Sequence, residues 1–502
     1  MKYLQSFALL LAGALLVSCV KQHQIEATTK TAIVNTTVID AVNGVRYNQT
    51  IVFEGDEILG ISPAGKDIEA DKRIIDGAGK FVIPGLWDMH VHLTATNLFQ
   101  GSMLPLLLSY GITSVRDTGG LLENLLPLIE GSKKGEYPGP RIFYAGPLLD
   151  GEFVVYDGSS LFRPHTGTAN TVPEKAEETV AELKKNGVNF IKVYEMVKPE
   201  VFDALVTAAH KQGLPVAAHV PLSTRASQIG QHLDSMEHLR NILLDCTSNA
   251  GHLLELRRAM LKNEEEKLGG DLRSSIHHEQ RIVALENLDD AQCDQTVNAL
   301  VGTIQVPTLS LGNRGGSITD RQDWKDAFSK LPEPARSIWR DVGSMDSRNS
   351  ESYRNAYSTA QKELVKRMHK AGVVFGAGTD IPIPPSVPGH SLHLELEALV
   401  AAGLSPLDVI GAATLTPAKF FAIEHEMGSI DAGKKADMLI LSENPLDDIK
   451  NTQAIDSIII QGRLLVESDI EKLASQSREG TLMLDALSLA YKSATAMGFS
   501  FF

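Results

Sequence analysis

The middle of the chain repeatedly alternates a short apolar run with a longer helix-like segment, and this alternation is the strongest constraint on the fold. It is typical of parallel βα units, in which each strand is followed by a helix that crosses back. Segments 173–187 and 199–213 support this interpretation, since each has Pro in its first turn and ends at Gly. The candidate strands are residues 81–83, 114–117, 142–145, 190–194, 216–219, 235–238, 304–309 and 373–380. Eight such units favour an α/β fold of the (β/α)8, or TIM-barrel, type over an open doubly wound sheet.

Two β-rich flanks enclose this middle part. Residues 31–79 and 435–466 alternate short runs of Val, Ile and Thr with turn residues, a pattern that indicates antiparallel strands. We expect both flanks to form one small composite β-sandwich domain. The chain then divides into a first sandwich part (20–83), the barrel (84–425), a second sandwich part (426–470) and a C-terminal tail (471–502). Within the barrel, the charged composition of residues 239–302 predicts an insert that forms a solvated surface subdomain.

Residues 1–19 have the pattern of a secretion signal, with Lys2 followed by an apolar run and a small residue before Cys19. The end of this segment resembles the lipobox of bacterial lipoproteins, in which the cysteine becomes acylated. We therefore expect export to the bacterial cell envelope, with a lipid anchor at Cys19 on the periplasmic side. An ordinary cleaved signal is the alternative. Cys246 and Cys293 remain in the mature chain, where pairing and burial as free thiols are equally open.

Composition excludes several classes of function. The chain has 47 Lys and Arg against 62 Asp and Glu, a formal net charge of −15, so it lacks the basic surface typical of nucleic acid binding. Its three cysteines are too widely spaced for a thiolate zinc site. The sequence contains neither a glycine-rich dinucleotide motif nor a phosphate-binding loop. A small-molecule substrate and hydrolytic chemistry remain, with self-association left open and membrane contact expected only through Cys19.

Side chains that can bind metal ions occur at the ends of several candidate strands. His90 and His92 follow the first strand, and their imidazoles share a face because residues i and i+2 of an extended chain point the same way. The ends of other strands carry Lys192, His219, His238 and Asp380. Each residue taken singly has a structural explanation, but barrel enzymes keep their active sites at this end of the strands. Together the six residues predict one metal-binding site.

Longer motifs around these residues resemble the amidohydrolase superfamily, whose members carry a binuclear metal centre. The resemblance is strongest to the imidazolonepropionase-like branch, which includes metal-dependent Xaa-Pro dipeptidases. One departure is His-Val-Pro-Leu at 219–222, where those dipeptidases have His-Ala-His-Gly, so their dipeptide specificity is not carried over. The matching segments are 82–92, 111–117, 190–194, 218–221, 235–239, 377–380, 389–393 and 428–437.

The resemblance implies a site for two divalent ions, expected to be zinc. In that superfamily the histidines of strand one and the aspartate of strand eight hold one ion, and the histidines of strands five and six hold the other. The corresponding residues here are His90, His92, Asp380, His219 and His238. Lys192 matches the lysine that bridges both ions after carboxylation by carbon dioxide. An ammonium would repel two cations, whereas a carbamate offers oxygens to both; an unmodified Lys192 beside a single ion is the alternative.

The activity implied is hydrolysis of a C–N amide bond in a small substrate, such as an N-acyl amino acid or a dipeptide, through a hydroxide that bridges the ions. Asp380 is the expected catalytic residue, since it would take the proton of the nucleophile and deliver it to the leaving nitrogen. Two alternatives stay open. One is a hydrolase of cyclic amides or lactones, and the other is a non-catalytic, metal-bearing binding protein of the envelope.

Substrate contacts are less constrained by the sequence. Tyr194 lies two residues after Lys192 and points to the same side, where it would line the pocket or pack. His165, in a loop after the third strand, is a second candidate for a substrate contact or a solvated residue. His390 and His393 share a helical face and would either support the strand-eight aspartate or pack. Other histidines are interpreted as surface or packing residues: His210, His232, His252, His277, His278 and His425.

Overall fold

The computed structural model describes residues 30–65, 73–99, 101–160, 163–312, 316–344 and 350–479. The strands in these segments are β1 (Thr31–Asp40), β2 (Gly44–Glu54), β3 (Glu57–Pro63), β4 (Arg73–Asp76), β5 (Phe81–Pro84), β6 (Leu86–Val91), β7 (Ile112–Asp117), β8 (Arg141–Tyr144), β9 (Leu148–Asp150), β10 (Gly167–Ala169), β11 (Ile191–Val193), β12 (Val216–Ala218), β13 (Ser235–Glu237), β14 (Ile304–Val306), β15 (Met438–Leu441), β16 (Ile455–Ile460) and β17 (Arg463–Val466).

The α-helices of the same segments surround these strands. They are α1 (Met103–Ser109), α2 (Leu122–Lys133), α3 (Ala176–Lys185), α4 (Pro199–Lys211), α5 (Ala226–Ile229), α6 (Ile242–Asp245), α7 (Ala250–Met260), α8 (Gly269–Glu286), α9 (Asp290–Ala299), α10 (Leu309–Gly312), α11 (Gly316–Thr319), α12 (Gln322–Ser329), α13 (Glu333–Ser344), α14 (Glu351–Lys370), α15 (His390–Ala401), α16 (Pro406–Ala412), α17 (Leu415–Phe420) and α18 (Glu467–Glu479). None of these helices combines the length and the apolar character needed to cross a bilayer. The proposed signal segment 1–19, with Cys19, lies outside the described residues.

Strands from both flanks join in one eight-stranded sheet, in the order β17-β16-β15-β5-β1-β2-β3, with β4 beside β1. The two ends of the chain meet where β15 pairs antiparallel with β5, for example Leu439 with Ile83. Within β15, Met438 and Ile440 pack into a small core of the sheet itself, whereas Leu439 packs into the large central core. This alternation follows from the two-residue period of a strand. The described strands therefore form a composite sheet, and a sandwich of two sheets stays a prediction.

The parallel strands carry the predicted site residues. They form a three-stranded sheet, β6-β7-β8, and a six-stranded sheet, β10-β9-β11-β12-β13-β14, with parallel pairing throughout. The extended segment 373–381 lies between them: Gly376 donates to the Gln305 carbonyl of β14, and Met89 of β6 donates to the Ala377 carbonyl. The fold is thus α/β and resembles a TIM barrel. A single closed ring of strands is not assigned over the described residues.

The predicted position of the first barrel strand, residues 81–83, was wrong. Residues 81–83 belong to β5 of the composite sheet, and β6 is the parallel strand that carries His90. Gly85 separates the two strands and passes close to Thr113, because a Cβ at Gly85 would lie 2.1 Å from the Thr113 hydroxyl oxygen. Both strands are short and almost fully buried, so apolar character alone does not separate them. The predicted strand 373–380 is not a regular strand: it forms one isolated bridge, Phe375 with Gln305, and Ile381 just beyond it forms another with Val91.

The insert is also more buried than its composition predicts. Helix α8 places Leu272, Ile276 and His277 in the interior, at no more than 5% exposure. Cys246 and Cys293 form a disulfide, which settles the alternative left open above and ties the insert's helices together. One face of α8 is therefore buried against Glu195, after β11, whereas much of the rest of 239–302 is exposed, and its division as a subdomain stays a prediction. The predicted tail is helical through Glu479, in α18.

Candidate metal centre

The predicted site residues lie at the carboxyl ends of the parallel strands. His90 is in β6 with His92 just after it, and Lys192 is in β11; His219 and His238 follow β12 and β13 directly. Asp380 lies in the segment 373–381. Ligand atoms from these residues form two groups, within each of which all atoms lie no more than 4.8 Å apart. The groups are His90, His219 and His238, and His90, His92 and Asp380.

The Asp380 carboxylate lies among the imidazoles. Its Oδ1 is 3.2 Å from Nε2 of His92 and 3.5 Å from Nε2 of His90, and its Oδ2 is 3.6 Å from Nε2 of His238. Asp380 and His238 both adopt positive φ angles, 62° and 59°. Such angles are uncommon outside glycine and cluster at functional sites, where the surrounding structure maintains them.

Each imidazole is oriented through its Nδ1 atom, which hydrogen-bonds to an oxygen behind it at 2.6 to 2.9 Å. The pairs are His90 with Glu237, His92 with the Gly119 carbonyl, His219 with Glu195 and His238 with the Thr308 hydroxyl. This arrangement fixes the ring and leaves Nε2 available, as is usual for metal-binding histidines.

The protonation states of three of the four imidazoles suit metal binding. His92 differs, because burial would lower its pKa but the Asp380 carboxylate outweighs burial and raises it. Burial, with Lys192 as a further contribution, lowers the pKa of His90 to about 4, and burial lowers those of His219 and His238 well below the usual value. Neutral imidazoles are the form that binds metal ions. Burial alone would raise the pKa of Asp380, but His238 and His92 lower it well below its usual range, so the carboxylate is ionised.

Lys192 is the most unusual group of the site. Its Nζ is buried and has no hydrogen-bond partner among the described residues; Glu237 Oε1 is 4.0 Å away. Burial lowers the pKa of this amine to about 8, so about a tenth of it is neutral at pH 7, far more than for an ordinary lysine. A buried unpartnered amine is costly unless another group satisfies it. Four imidazoles, a carboxylate and an amine that can be carboxylated fit a pair of divalent ions.

Glu237 is a functional residue that sequence reasoning missed. It is fully buried and accepts hydrogen bonds from His90, from Arg116 Nη2 at 2.7 Å and from the Ser235 hydroxyl at 2.9 Å. Burial would raise its pKa, but Arg116 and Lys192 lower it well below the usual range. Arg116 and Glu237 both lie in segments quoted for the family resemblance, which is the signal that would have found them.

Glu195 has the same role for His219. It also accepts a hydrogen bond from His277 Nε2 at 2.5 Å and two from Arg273, at 2.8 and 3.0 Å. Burial would raise its pKa, but Arg273 and His277 lower it well below its usual range. His277 is therefore more than a surface or packing residue, since a buried carboxylate requires partners and α8 supplies two of them.

The two substrate candidates lie in different environments. Tyr194 is buried, and its ring centroid is 4.3 Å from that of His219. His165 is exposed on the loop between β9 and β10. His393 bonds to the Thr452 hydroxyl and the Tyr110 carbonyl, which places it in helix packing instead of beside Asp380.

Comparison with known proteins agrees with this geometry. A model of the amidohydrolase family matches residues 81–262 and 341–465, and the chain belongs to that family. The 5-methylthioadenosine/S-adenosylhomocysteine deaminase of Thermoanaerobacter pseudethanolicus is 23% identical over 465 residues, which cover 85% of this chain and 92% of that protein. The resemblance to the amidohydrolase superfamily is confirmed. The protein is a metal-dependent hydrolase that acts on C–N bonds.

Solved structures agree on the fold. A bottromycin amidohydrolase superposes with a TM-score of 0.66 at 20% identity, covering 90% of this chain and 91% of that one. A Xaa-Pro dipeptidase with methionine bound in its active site gives 0.62 at 21% identity, covering 87% of this chain and all of that one. At these identities the superpositions establish a shared TIM-barrel-like α/β fold and leave the substrate open.

Proposed function

We propose that this chain hydrolyses a C–N amide bond in a small substrate such as an N-acyl amino acid or a dipeptide, using two divalent ions, expected to be zinc. The observation that carries the proposal is the buried, unpartnered Lys192 amine among oriented imidazoles and the Asp380 carboxylate. His90, His92 and Asp380 would hold one ion, while His219 and His238 would hold the other. Carboxylated Lys192 would bridge the two. When bound, the ions would supply Lewis acidity and an activated water.

Asp380 is the proposed catalytic residue. Its two oxygens face different imidazoles, so it lies between the two ligand groups, where a proton must move from nucleophile to leaving nitrogen. Its low pKa means that it begins the cycle ionised, as a proton acceptor. Tyr194, beside His219, is proposed to line the substrate pocket. His165 is exposed, and we propose no contact between it and the substrate.

Two features of the wider molecule belong to the same proposal. The hydrogen bonds of segment 373–381 to β14 and β6 support a barrel that closes around the site. Residues 1–19 would direct export, with Cys19 as the lipid-bearing residue of an envelope protein. Lipid anchoring is tested by measuring whether the full chain associates with membranes. We expect Cys19→Ser to abolish that association.

The test of function combines metal analysis with a substrate panel of acyl amino acids, dipeptides, cyclic amides, lactones and 5-methylthioadenosine. We expect bound divalent metal and turnover of an acyl amino acid or dipeptide. Lactone or cyclic amide turnover would select the first alternative. A metal-loaded protein that is inert to every panel member would favour the non-catalytic binding protein.

Lys192→Ala tests the bridging role. Even changes outside the ligand set cost metalloenzymes about 10- to 100-fold, so we expect a loss of at least about 100-fold, with partial rescue by acetate or propionate. Lys185→Ala, at an exposed lysine of α3, is the matched control. Unchanged turnover in Lys192→Ala would contradict the bridging role.

A further inference from the structure

Three arginines gather around the single carboxylate of Glu195. Arg273 contacts it directly, Arg240 Nε lies 3.7 Å from its Oε1, and Arg281 lies one helical turn beyond His277 on the same face of α8. His277 also bonds to Glu195. The cluster therefore carries an excess of positive charge, in a chain whose formal net charge is −15.

Two of these guanidinium groups are incompletely bonded. Nε of Arg240 and Nη2 of Arg281 are buried and have no hydrogen-bond partner among the described residues. The Arg281 guanidinium lies over the Tyr357 ring, 5.3 Å from its centroid. Buried donors are nearly always satisfied, so each of these unbonded guanidinium donors indicates a missing acceptor.

The cluster borders the candidate metal centre. Glu195 Oε1 holds both His219 and Arg273, and the Tyr194 ring lies between them, 4.3 Å from the His219 ring and 5.7 Å from the Arg273 guanidinium carbon. Arg281 and Tyr357 also line a small cavity together with Asn241, the residue after Arg240. A group bound by the arginines would therefore belong to a molecule that reaches the His219 side of the site.

Two of the three arginines come from a part of the chain outside the family match. Arg273 and Arg281 are on α8, and the family model leaves out residues 263–340. The metal ligands, in contrast, all fall inside the matched segments. An element that is separate from the common catalytic framework and reaches its edge is suited to substrate selection.

We propose that Arg240 and Arg281 form a subsite for the carboxylate of the substrate, with Arg273 held beside them by Glu195. Guanidinium groups bind planar oxyanions in a fixed, bidentate geometry, and charge-assisted bonds of this kind are strong. A carboxylate next to the scissile amide is what an N-acyl amino acid or a dipeptide presents. This inference rests on the proposed function and adds the anionic requirement and the residues that impose it.

The first experiment compares kcat/KM for the best acyl amino acid of the panel and for its neutral carboxamide. We expect wild type to prefer the anionic substrate, and Arg281→Gln to lower that preference about 10- to 100-fold, because kcat/KM falls more for the acid than for the carboxamide. Arg281→Lys, which keeps the charge without the planar fork, should be intermediate. Arg258→Gln, an exposed arginine of the same insert, is the matched control.

The second experiment measures binding without turnover. In an Asp380→Asn background, titration calorimetry with N-acetyl-L-alanine and with its neutral amide should show preference for the acid, lost on adding Arg281→Gln and kept with Arg258→Gln. Melting curves verify that each variant is folded. If Arg281→Gln bound the acid as well as the unsubstituted arginine does, the carboxylate would bind the metal ions instead, and the subsite would be wrong. Equal binding of the acid and the amide would also contradict the subsite.

These results separate the subsite from the proposed function. Hydrolysis of acid and carboxamide at equal rates, unaffected by Arg281→Gln, would retain the hydrolase and reject the subsite. If the protein bound the acid in an Arg281-dependent way but hydrolysed no panel member, the subsite would be retained and the proposed hydrolase activity rejected.

Discussion

Two buried glutamates each orient one imidazole of the candidate metal centre, and their surroundings differ. Glu237 holds His90, and its other hydrogen-bond partners, Arg116 and Ser235, lie on the barrel strands β7 and β13. Glu195 holds His219, but its charge is balanced by residues of the insert helix α8. Both carboxylates are completely buried.

The difference separates a common framework from an added element. The Glu237 network lies within the segments matched by the family model, whereas α8 lies in the gap between them. One side of the centre is therefore built into the barrel, and the other is completed by an insert that also brings the arginine cluster. We infer that the Glu237 side mainly supports folding and the Glu195 side mainly adjusts metal binding and substrate choice.

The largest effect is expected for Arg116→Met. Arg116 is fully buried and bonds to Glu237, Ser235 and the Met89 carbonyl. Its removal takes the directly bonded guanidinium from the buried Glu237 charge, which keeps only His90, Ser235 and the more distant Lys192 amine, so we expect destabilisation of about 3–5 kcal/mol, measured by chemical unfolding. Arg116→Lys keeps the charge and should lose less. A loss below about 1 kcal/mol in Arg116→Met would contradict a structural role for this network.

The pH dependence sharpens this prediction. The pKa of Glu237 is lowered in the folded protein, so its ionised form stabilises wild type above the unfolded pKa, near 4.3, and this contribution is lost as pH falls towards the folded pKa. Without Arg116 that stabilisation is largely absent. The gap in unfolding free energy between wild type and Arg116→Met should therefore narrow below about pH 4.

A smaller effect, on activity, is expected for Glu195→Gln. The amide oxygen can still accept from His219, but Arg273 and His277 lose their counter-charge. We expect kcat/KM to fall about 10- to 100-fold and metal to be lost faster to a chelator, as for other changes behind metal ligands. Unfolding should change less than in Arg116→Met. The proposed difference between the two glutamates would be wrong if Glu195→Gln destabilised the protein more than Arg116→Met and left metal retention unchanged.

The sequence predicted the metal-binding side chains of the candidate centre because they all lie at or near the ends of parallel strands, which converge at one edge of the sheet. It did not find their partners, since the contact of Glu195 with His277 spans 82 residues and no local pattern predicts such a pair. It mistook β5 for the first barrel strand because a short buried strand of a mixed sheet and one of a barrel have the same apolar composition.

The burial of the insert was missed for a related reason. Charged residues in a helix usually face solvent, and α8 contains many, so its composition predicted a solvated surface. Here several of its charges face inward: the Arg273 side chain is only 14% exposed, paired with a fully buried carboxylate. Composition does not show whether a charge has a buried partner, and that partner comes from a distant strand.

The smallest effect is expected at the outer edge of the insert, where Arg163 pairs with Asp271 of α8 at 2.5 and 3.1 Å. Both side chains are partly exposed, 24% and 51%, so screening by solvent reduces the interaction to at most about 1 kcal/mol. Arg163→Gln should therefore shift the unfolding midpoint only slightly and leave kcat/KM near wild type. If Arg163→Gln instead reproduced the activity loss of Glu195→Gln, the surface contact between the insert and the β9–β10 loop would be what positions the insert. The buried network of Arg273 and His277 would then not have that role.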